Sequence, residues 1–189
     1  MSKEKKIARI EKRSKESLEL IKKIVEESGS ETIDLVIEHE LPGVTPEMID
    51  WWWDHIDTTE RYKLWHPKDH ISFKWEKSPA NGHVGAIHRL VETVGTPTML
   101  RIRWEDPSSV PIKASYSHVL AGSILDSDDK PLSYFIHEYK SMQGGTRLHT
   151  TFRLPAKVPQ WFIEALRKHS KEEMDQFTNF LPKLYAENK

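Results

Sequence analysis

The chain has 189 residues, enough for one domain with a buried core and room for a cavity inside it. Charged residues make up 30% and the apolar set 37%, while seven Trp, six Phe and five Tyr supply bulky core material that argues against disorder throughout. Lys and Arg number 28 against 29 Asp and Glu, a balance that offers no broad basic surface to nucleic acid, and the absence of cysteine excludes disulfides, thiolate metal sites and a thiol nucleophile.

Residues 3–27 place Ile7, Ile10, Leu18, Ile21, Ile24 and Val25 at mostly helical spacing in a charged background, which predicts an amphipathic helix with a narrow apolar stripe. Glu alternates with Lys along it, favouring packing on the domain edge or on a second subunit, as in a homodimer, over a lipid or RNA role. No chemistry is visible in this segment. It lacks the apolar stretch of a signal peptide, and nowhere do about eighteen apolar residues run together, so a soluble cytoplasmic protein without a membrane partner is expected.

After a polar break at 27–30, residues 32–41 read as a strand ended by Pro42-Gly43. Thr45-Pro46-Glu47 has the form of a helix start, with Thr as cap and Pro in the first turn, and the helix continues through Ile49, Trp52, Trp53 and Ile56. Six further runs have strand composition: 71–75, 83–94, 99–104, 114–125, 132–142 and 147–154, separated by turns such as 79–82, 126–129 and Gly144-Gly145. From 159 to about 185 the pattern is helical again. This order predicts the α+β class, a curved antiparallel sheet around a long C-terminal helix, with a helical extension at 1–30 and one domain at 31–189.

The terminal helix is the most informative element. Its apolar stripe runs through Phe162, Leu166, Phe177 and Phe180, and the steps of three and four that join these residues land on His169 and Glu173. A His and a Glu four apart lie one turn above each other, and a Glu turned inward requires a compensating partner. Either a cation or a simple His-Glu pair satisfies that requirement. In 83–94, alternation puts Ala86, His88, Leu90, Glu92 and Val94 on one face, but apolar residues occur on both faces, so Glu92 faces either a cavity or the surface. The segment 61–70 concentrates Tyr62, Trp65, His66, Asp69 and His70 just before the second strand, more specific donors and acceptors than a connection needs.

The motifs at 41–53 (Leu-Pro-Gly-Val-Thr-Pro-Glu-Met-Ile-Asp-Trp-Trp-Trp), 61–70 and 169–173 give the chain a resemblance to the diacetylphloroglucinol hydrolase family, which includes phloretin hydrolase, over roughly residues 33–185. The resemblance implies a Bet v 1-like helix-grip fold and one zinc ion per chain, used to hydrolyse the carbon–carbon bond between an acyl group and a phloroglucinol-type ring. It implies His70, His169 and Glu173 as metal ligands, with Glu92 as the best match for the fourth and Glu105 and Glu138 as alternatives. It further implies Tyr62 as a contact to a phenolic hydroxyl and His137 as an active-site histidine. This chain is shorter than the family pattern between the strand Glu and the terminal helix, which bears on the shape of the substrate pocket. Two other functions suit the same elements: a helix-grip module that binds hydrophobic aromatic ligands without reaction, and a metal-dependent ester hydrolase or cyclase on a polyketide-like substrate.

Overall fold

The computed structural model describes residues 3–80 and 82–188. It orders the chain as α1 (Lys3–Ser28), β1 (Thr32–Pro42), α2 (Pro46–His55), α3 (Thr59–Trp65), β2 (His70–Lys77), β3 (Ile87–Val94), β4 (Thr96–Glu105), β5 (His118–Leu125), β6 (Pro131–Met142), β7 (Gly145–Pro155) and α4 (Gln160–Glu187). The strands form one antiparallel sheet of seven in the order β1-β7-β6-β5-β4-β3-β2. The expected α+β architecture, a curved sheet gripping the long terminal helix, is the one observed. Among the described residues no helix is long and apolar enough to cross a membrane.

Local chemistry accounts for the boundaries. In β1 the buried residues are Leu35, Ile37, His39 and Leu41, the period of two of a strand with one face covered. Thr45 caps α2 by accepting from the Met48 amide, and Thr58 caps α3 by accepting from the Arg61 amide. Thr59 then ties α3 to β2, its hydroxyl donating to the Phe73 carbonyl and accepting from the Phe73 amide.

Two strands start later than their composition predicts. The run 83–94 becomes β3 only at Ile87, because Gly85 at φ +83° turns the chain and the Ala86 amide closes onto the His83 carbonyl. The run 114–125 becomes β5 only at His118, because the Glu138 carboxylate captures the amides of Ser115 and Tyr116 and takes the place of a neighbouring strand.

The core lies where α2, α3 and α4 meet the concave face of the sheet. Trp52, Trp53, Trp65, Phe177 and Leu181 are buried there, and the Trp65 and Phe177 rings stack with centroids 5.7 Å apart. Each such side chain stabilises the fold by about 2–3 kcal/mol through removal of apolar surface from water. On the sheet, a Cβ at Gly122 would overlap the Phe135 ring, so the glycine lets that ring lie flat against β5. The sheet and α4 do not meet along their whole length. Between them remains a cavity of about 310 Å³ whose wall is mainly apolar, with Leu90, Ile102, Trp104, Phe135, Phe152 and Leu166 among its residues.

Candidate metal centre

His70 opens β2 and stands opposite Glu92 in the β2–β3 ladder, so strand register alone brings this imidazole and carboxylate together. On α4, His169 and Glu173 are one turn apart and both buried. The four side chains converge at the cavity wall. His70 Nε2 lies 3.6 Å from Glu173 Oε2 and 3.9 Å from Glu92 Oε2. His169 Nε2 lies 3.7 Å from Glu173 Oε2 and 3.9 Å from Glu92 Oε2. Donors bound at about 2.0–2.1 Å around a tetrahedral ion stand roughly 3.3–3.5 Å apart. The observed spacing is slightly wider and needs only a small contraction around a cation.

The outer nitrogens are committed. His70 Nδ1–H donates to the Tyr62 carbonyl at 2.8 Å, and His169 Nδ1–H donates to Asp69 Oδ2 at 3.3 Å. Each bond places the ring proton on Nδ1 and leaves Nε2 as a bare lone pair facing the carboxylates. Both Nε2 atoms are buried and have no hydrogen-bond partner. Two inward lone pairs beside two carboxylates form a donor set with no donor among themselves, which is the chemistry of a cation site and not of a His-Glu hydrogen bond. Among the described residues His70, Glu92 and His169 are grouped closely enough to hold a metal ion, with Glu173 Oε2 within 3.7 Å of both imidazoles, and His66, Asp69 and His169 form a second such group.

Electrostatics agree with the geometry. Burial pushes the Glu173 carboxyl up to about 7 and the His70 imidazole down to about 4. Burial also opposes charge on His169, but the neighbouring Glu173 and Glu92 carboxylates and the bond to Asp69 outweigh it and raise that imidazole, so a cation at its Nε2 competes there with a proton. Buried carboxylates without a cation are destabilised in their charged form, and a bound divalent ion removes that cost.

Tyr62 lies face to face with His70, ring centroids 3.8 Å apart, and its hydroxyl donates to Glu92 Oε2 at 2.7 Å. Burial, together with the Glu92 charge, raises the phenol well above its ordinary pKa, so it stays protonated. Tyr62 therefore orients a carboxylate of the cluster, and its oxygen keeps a lone pair toward the cavity it lines. His137 stands apart from the cluster, on β6, in the wall of the same cavity. It stacks on Trp53 at 5.7 Å and shares a 2.9 Å hydrogen bond between Nδ1 and Thr150 Oγ1. Burial holds it neutral, with a pKa down to about 3.

The two alternative carboxylates are engaged elsewhere. Glu105 accepts from Arg103 and from the Ser123 hydroxyl, and Glu138 holds the Ser115 and Tyr116 amides. His118 pairs with Asp50 at 2.9 Å outside the cavity wall.

One arrangement escaped sequence reasoning. Asp69, noted only as part of a dense segment, orients His169 from 100 residues away in the chain. His66 backs it: its rings stack with His169 at 4.8 Å, and its Nε2 faces Asp69 Oδ2 and Glu172 Oε2, each at 3.4 Å. His66 Nδ1 accepts from the Asp69 amide at 3.3 Å, while its buried Nε2, like those of His70 and His169, makes no hydrogen bond. Of the two further histidines that the sequence offers for the pocket, His88 and His118, only His88 lines the cavity, where it accepts the indole N–H of Trp104 at 2.8 Å.

The sequence pattern of the DAPG hydrolase PhiG domain matches residues 27–161. Phloretin hydrolase from Eubacterium ramulus is 24% identical over 184 residues, an alignment that takes in 79% of this chain and 66% of that protein. The chain thus spans 66% of the length of this curated relative. Among solved structures, Ara h 8.0201 superposes with a TM-score of 0.56 at 12% identity, covering 81% of this chain and 99% of its own. The KanY protein does so with a TM-score of 0.56 at 6% identity, covering 80% of this chain and 98% of its own. These two likenesses establish the Bet v 1-like fold and nothing about chemistry.

Proposed function

Because the chain belongs to the DAPG hydrolase PhiG domain family, we propose that it is a zinc-dependent hydrolase that cleaves the carbon–carbon bond between an acyl group and a polyhydroxylated aromatic ring. The observation that carries this reading is the pair of buried, unpartnered Nε2 atoms of His70 and His169, aimed with Glu92 and Glu173 at one point on the wall of an apolar cavity. Two imidazoles and two carboxylates without thiolate suit zinc. Zinc held by His70, Glu92, His169 and Glu173 supplies Lewis-acid polarisation of an acyl carbonyl.

The chain's own residues account for the rest. The mainly apolar cavity, with Phe135, Trp104 and Leu90 in its wall, suits an aromatic ring. Hydrolysis places the oxygen of water on the acyl carbon, while the electron pair of the broken bond passes to the ring and is held there by tautomerisation of ortho and para hydroxyls. A proton then adds to the ring carbon. His137, kept neutral by burial, and the lone pair of Tyr62 are the groups proposed to hold those hydroxyls and to carry that proton. A passive binding module would share the cavity, but the buried Glu173 beside two bare imidazole nitrogens disfavours that alternative, since an apolar ligand compensates none of them.

The test joins metal content to products. Protein purified without chelator is expected to hold about one zinc per chain, lost in His169→Ala and Glu173→Ala, and to convert an acylphloroglucinol to the free acid and the deacylated ring while sparing an acylbenzene without hydroxyls. Zinc-loaded protein that leaves every hydroxylated aryl ketone intact but hydrolyses aryl esters would overturn the carbon–carbon assignment.

A further inference from the structure

His66 carries a buried nitrogen that the metal centre described above leaves unused. The residue closes the C-terminal end of α3, and its Nε2 makes no hydrogen bond. Two carboxylate oxygens stand beside that nitrogen, Asp69 Oδ2 from the turn before β2 and Glu172 Oε2 from α4, each at 3.4 Å. Ordinary N–H···O hydrogen bonds are shorter, about 2.7–3.2 Å. Ligand atoms around one tetrahedral ion stand roughly 3.3–3.5 Å apart, so both oxygens already lie at the distance from Nε2 that a shared ion requires.

The His169 imidazole stands between two sets of ligands. Its Nε2 faces Glu92 and Glu173, and its Nδ1 faces Asp69. Successive residues on a helix point about 100° apart, which is why the adjacent Glu172 and Glu173 serve different sets. The Asp69 and Glu172 side chains are 28% and 45% exposed, and neither lines the cavity, so an ion reaches the outer set directly from solvent. Three features keep that set the weaker of the two: its exposure, the nearby Lys168 ammonium 3.8 Å from Glu172 Oε1, and the His66 ring proton, which must move to Nδ1 and give up the long contact from the Asp69 amide.

We infer that His66 Nε2, Asp69 Oδ2 and Glu172 Oε2 form a second site for a divalent transition cation such as zinc, filled when the free metal is in excess, and that filling it weakens the first centre. An ion on Asp69 draws charge from the carboxylate that holds the His169 proton, and it sets a second positive charge on the far side of the same imidazole. The coupling rests on the metal centre of the hydrolase reading; the second site itself does not.

Equilibrium dialysis against zinc, with the bound metal counted by atomic absorption, tests the site without turnover. The parent is expected to hold about one ion per chain at low free zinc and about two in excess, the second bound at least tenfold more weakly. His66→Phe, which keeps a ring against His169, and Glu172→Gln should each stop at one. Glu173→Ala should still take up one ion in excess zinc, because the outer set does not use that carboxylate. In protein carrying one radioactive zinc per chain, release of the label should quicken about fivefold or more as unlabelled zinc fills the second site, and in Glu172→Gln it should not. A parent that saturates at one ion, or two ions retained by both His66→Phe and Glu172→Gln, overturns the second site. Two ions with a release rate that ignores unlabelled zinc overturn the coupling. Two ions in a protein that cleaves no aryl ketone overturn the carbon–carbon reading and leave the second site standing.

Discussion

His169 Nδ1 sits 3.3 Å from Asp69 Oδ2, and this contact decides which nitrogen of His169 looks into the metal centre. The carboxylate keeps the ring proton on Nδ1 and fixes the plane of the imidazole, so that Nε2 points at Glu173 and Glu92 as a lone pair. Asp69 is in turn held by His66, whose ring stacks on His169. A pair of residues just ahead of β2 therefore sets the geometry of a ligand on α4.

Asp69→Asn should weaken metal binding about tenfold to a hundredfold without removing any ligand. The amide retains the shape but holds the His169 proton less firmly. Competition against a chromophoric chelator reads the affinity directly. At equal free metal a tenfold loss also removes about 1.4 kcal/mol of the stabilisation that bound metal gives the fold, seen as a lower melting temperature of the loaded protein with the metal-free protein little changed. An affinity equal to that of the parent would show that Asp69 only fills space.

How much of this was open to sequence reasoning depends on the distance between partners along the chain. His169 and Glu173 were legible because helical spacing puts both on the stripe of Phe162, Leu166 and Phe177, a pattern contained within a few turns. Glu92 was only half legible: alternation grouped it with His88 and Leu90, but β3 carries apolar residues on both faces, and only the pairing with His70 settles which face meets the cavity. Asp69 could not be assigned, since nothing near it in the chain is its partner. The leading helix was visible as an amphipathic segment, but the surface its stripe covers is made by β4, the β5–β6 turn and the approach to α4, and no periodicity reports that. The late starts of β3 and β5 likewise follow from one glycine at positive φ and one distant carboxylate.

Acid should destabilise the fold through its buried imidazoles, and His88 isolates the effect. Burial lowers His88 from 6.5 to about 3, so between these values the unfolded chain binds a proton that the folded one refuses. Stability is therefore complete above pH 6.5 and falls as the pH drops below it. At pH 5.5 the loss from this one group is about 1.4 kcal/mol relative to pH 7.5. Glu173 acts in the opposite sense, because its raised carboxyl binds a proton in the folded metal-free state first. The comparison must therefore be between His88→Gln and the parent, in which Glu173 is common to both. Denaturant unfolding of the metal-free proteins at pH 7.5 and 5.5 should show the parent losing about 1.4 kcal/mol more than His88→Gln; identical pH dependence would mean that His88 takes up its proton in the folded state.

Tyr62→Phe separates holding the metal from using it. The phenyl ring keeps the stacking on His70, and no ligand is removed, but Glu92 loses the hydroxyl that donates to it at 2.7 Å and the cavity loses one lone pair. Zinc should remain bound, with affinity reduced by roughly tenfold or less, since Tyr62 supports one ligand from outside the shell. Turnover of an acylphloroglucinol should fall by about tenfold or more with the site still full, because a hydrogen bond that strengthens as charge moves onto the ring contributes to the transition state and not to the ground state. The fall should therefore appear in kcat, with KM changed little. If kcat is unaltered in fully loaded Tyr62→Phe, the phenol serves Glu92 alone, and the ring hydroxyls must be held by His137 and its neighbours on β6.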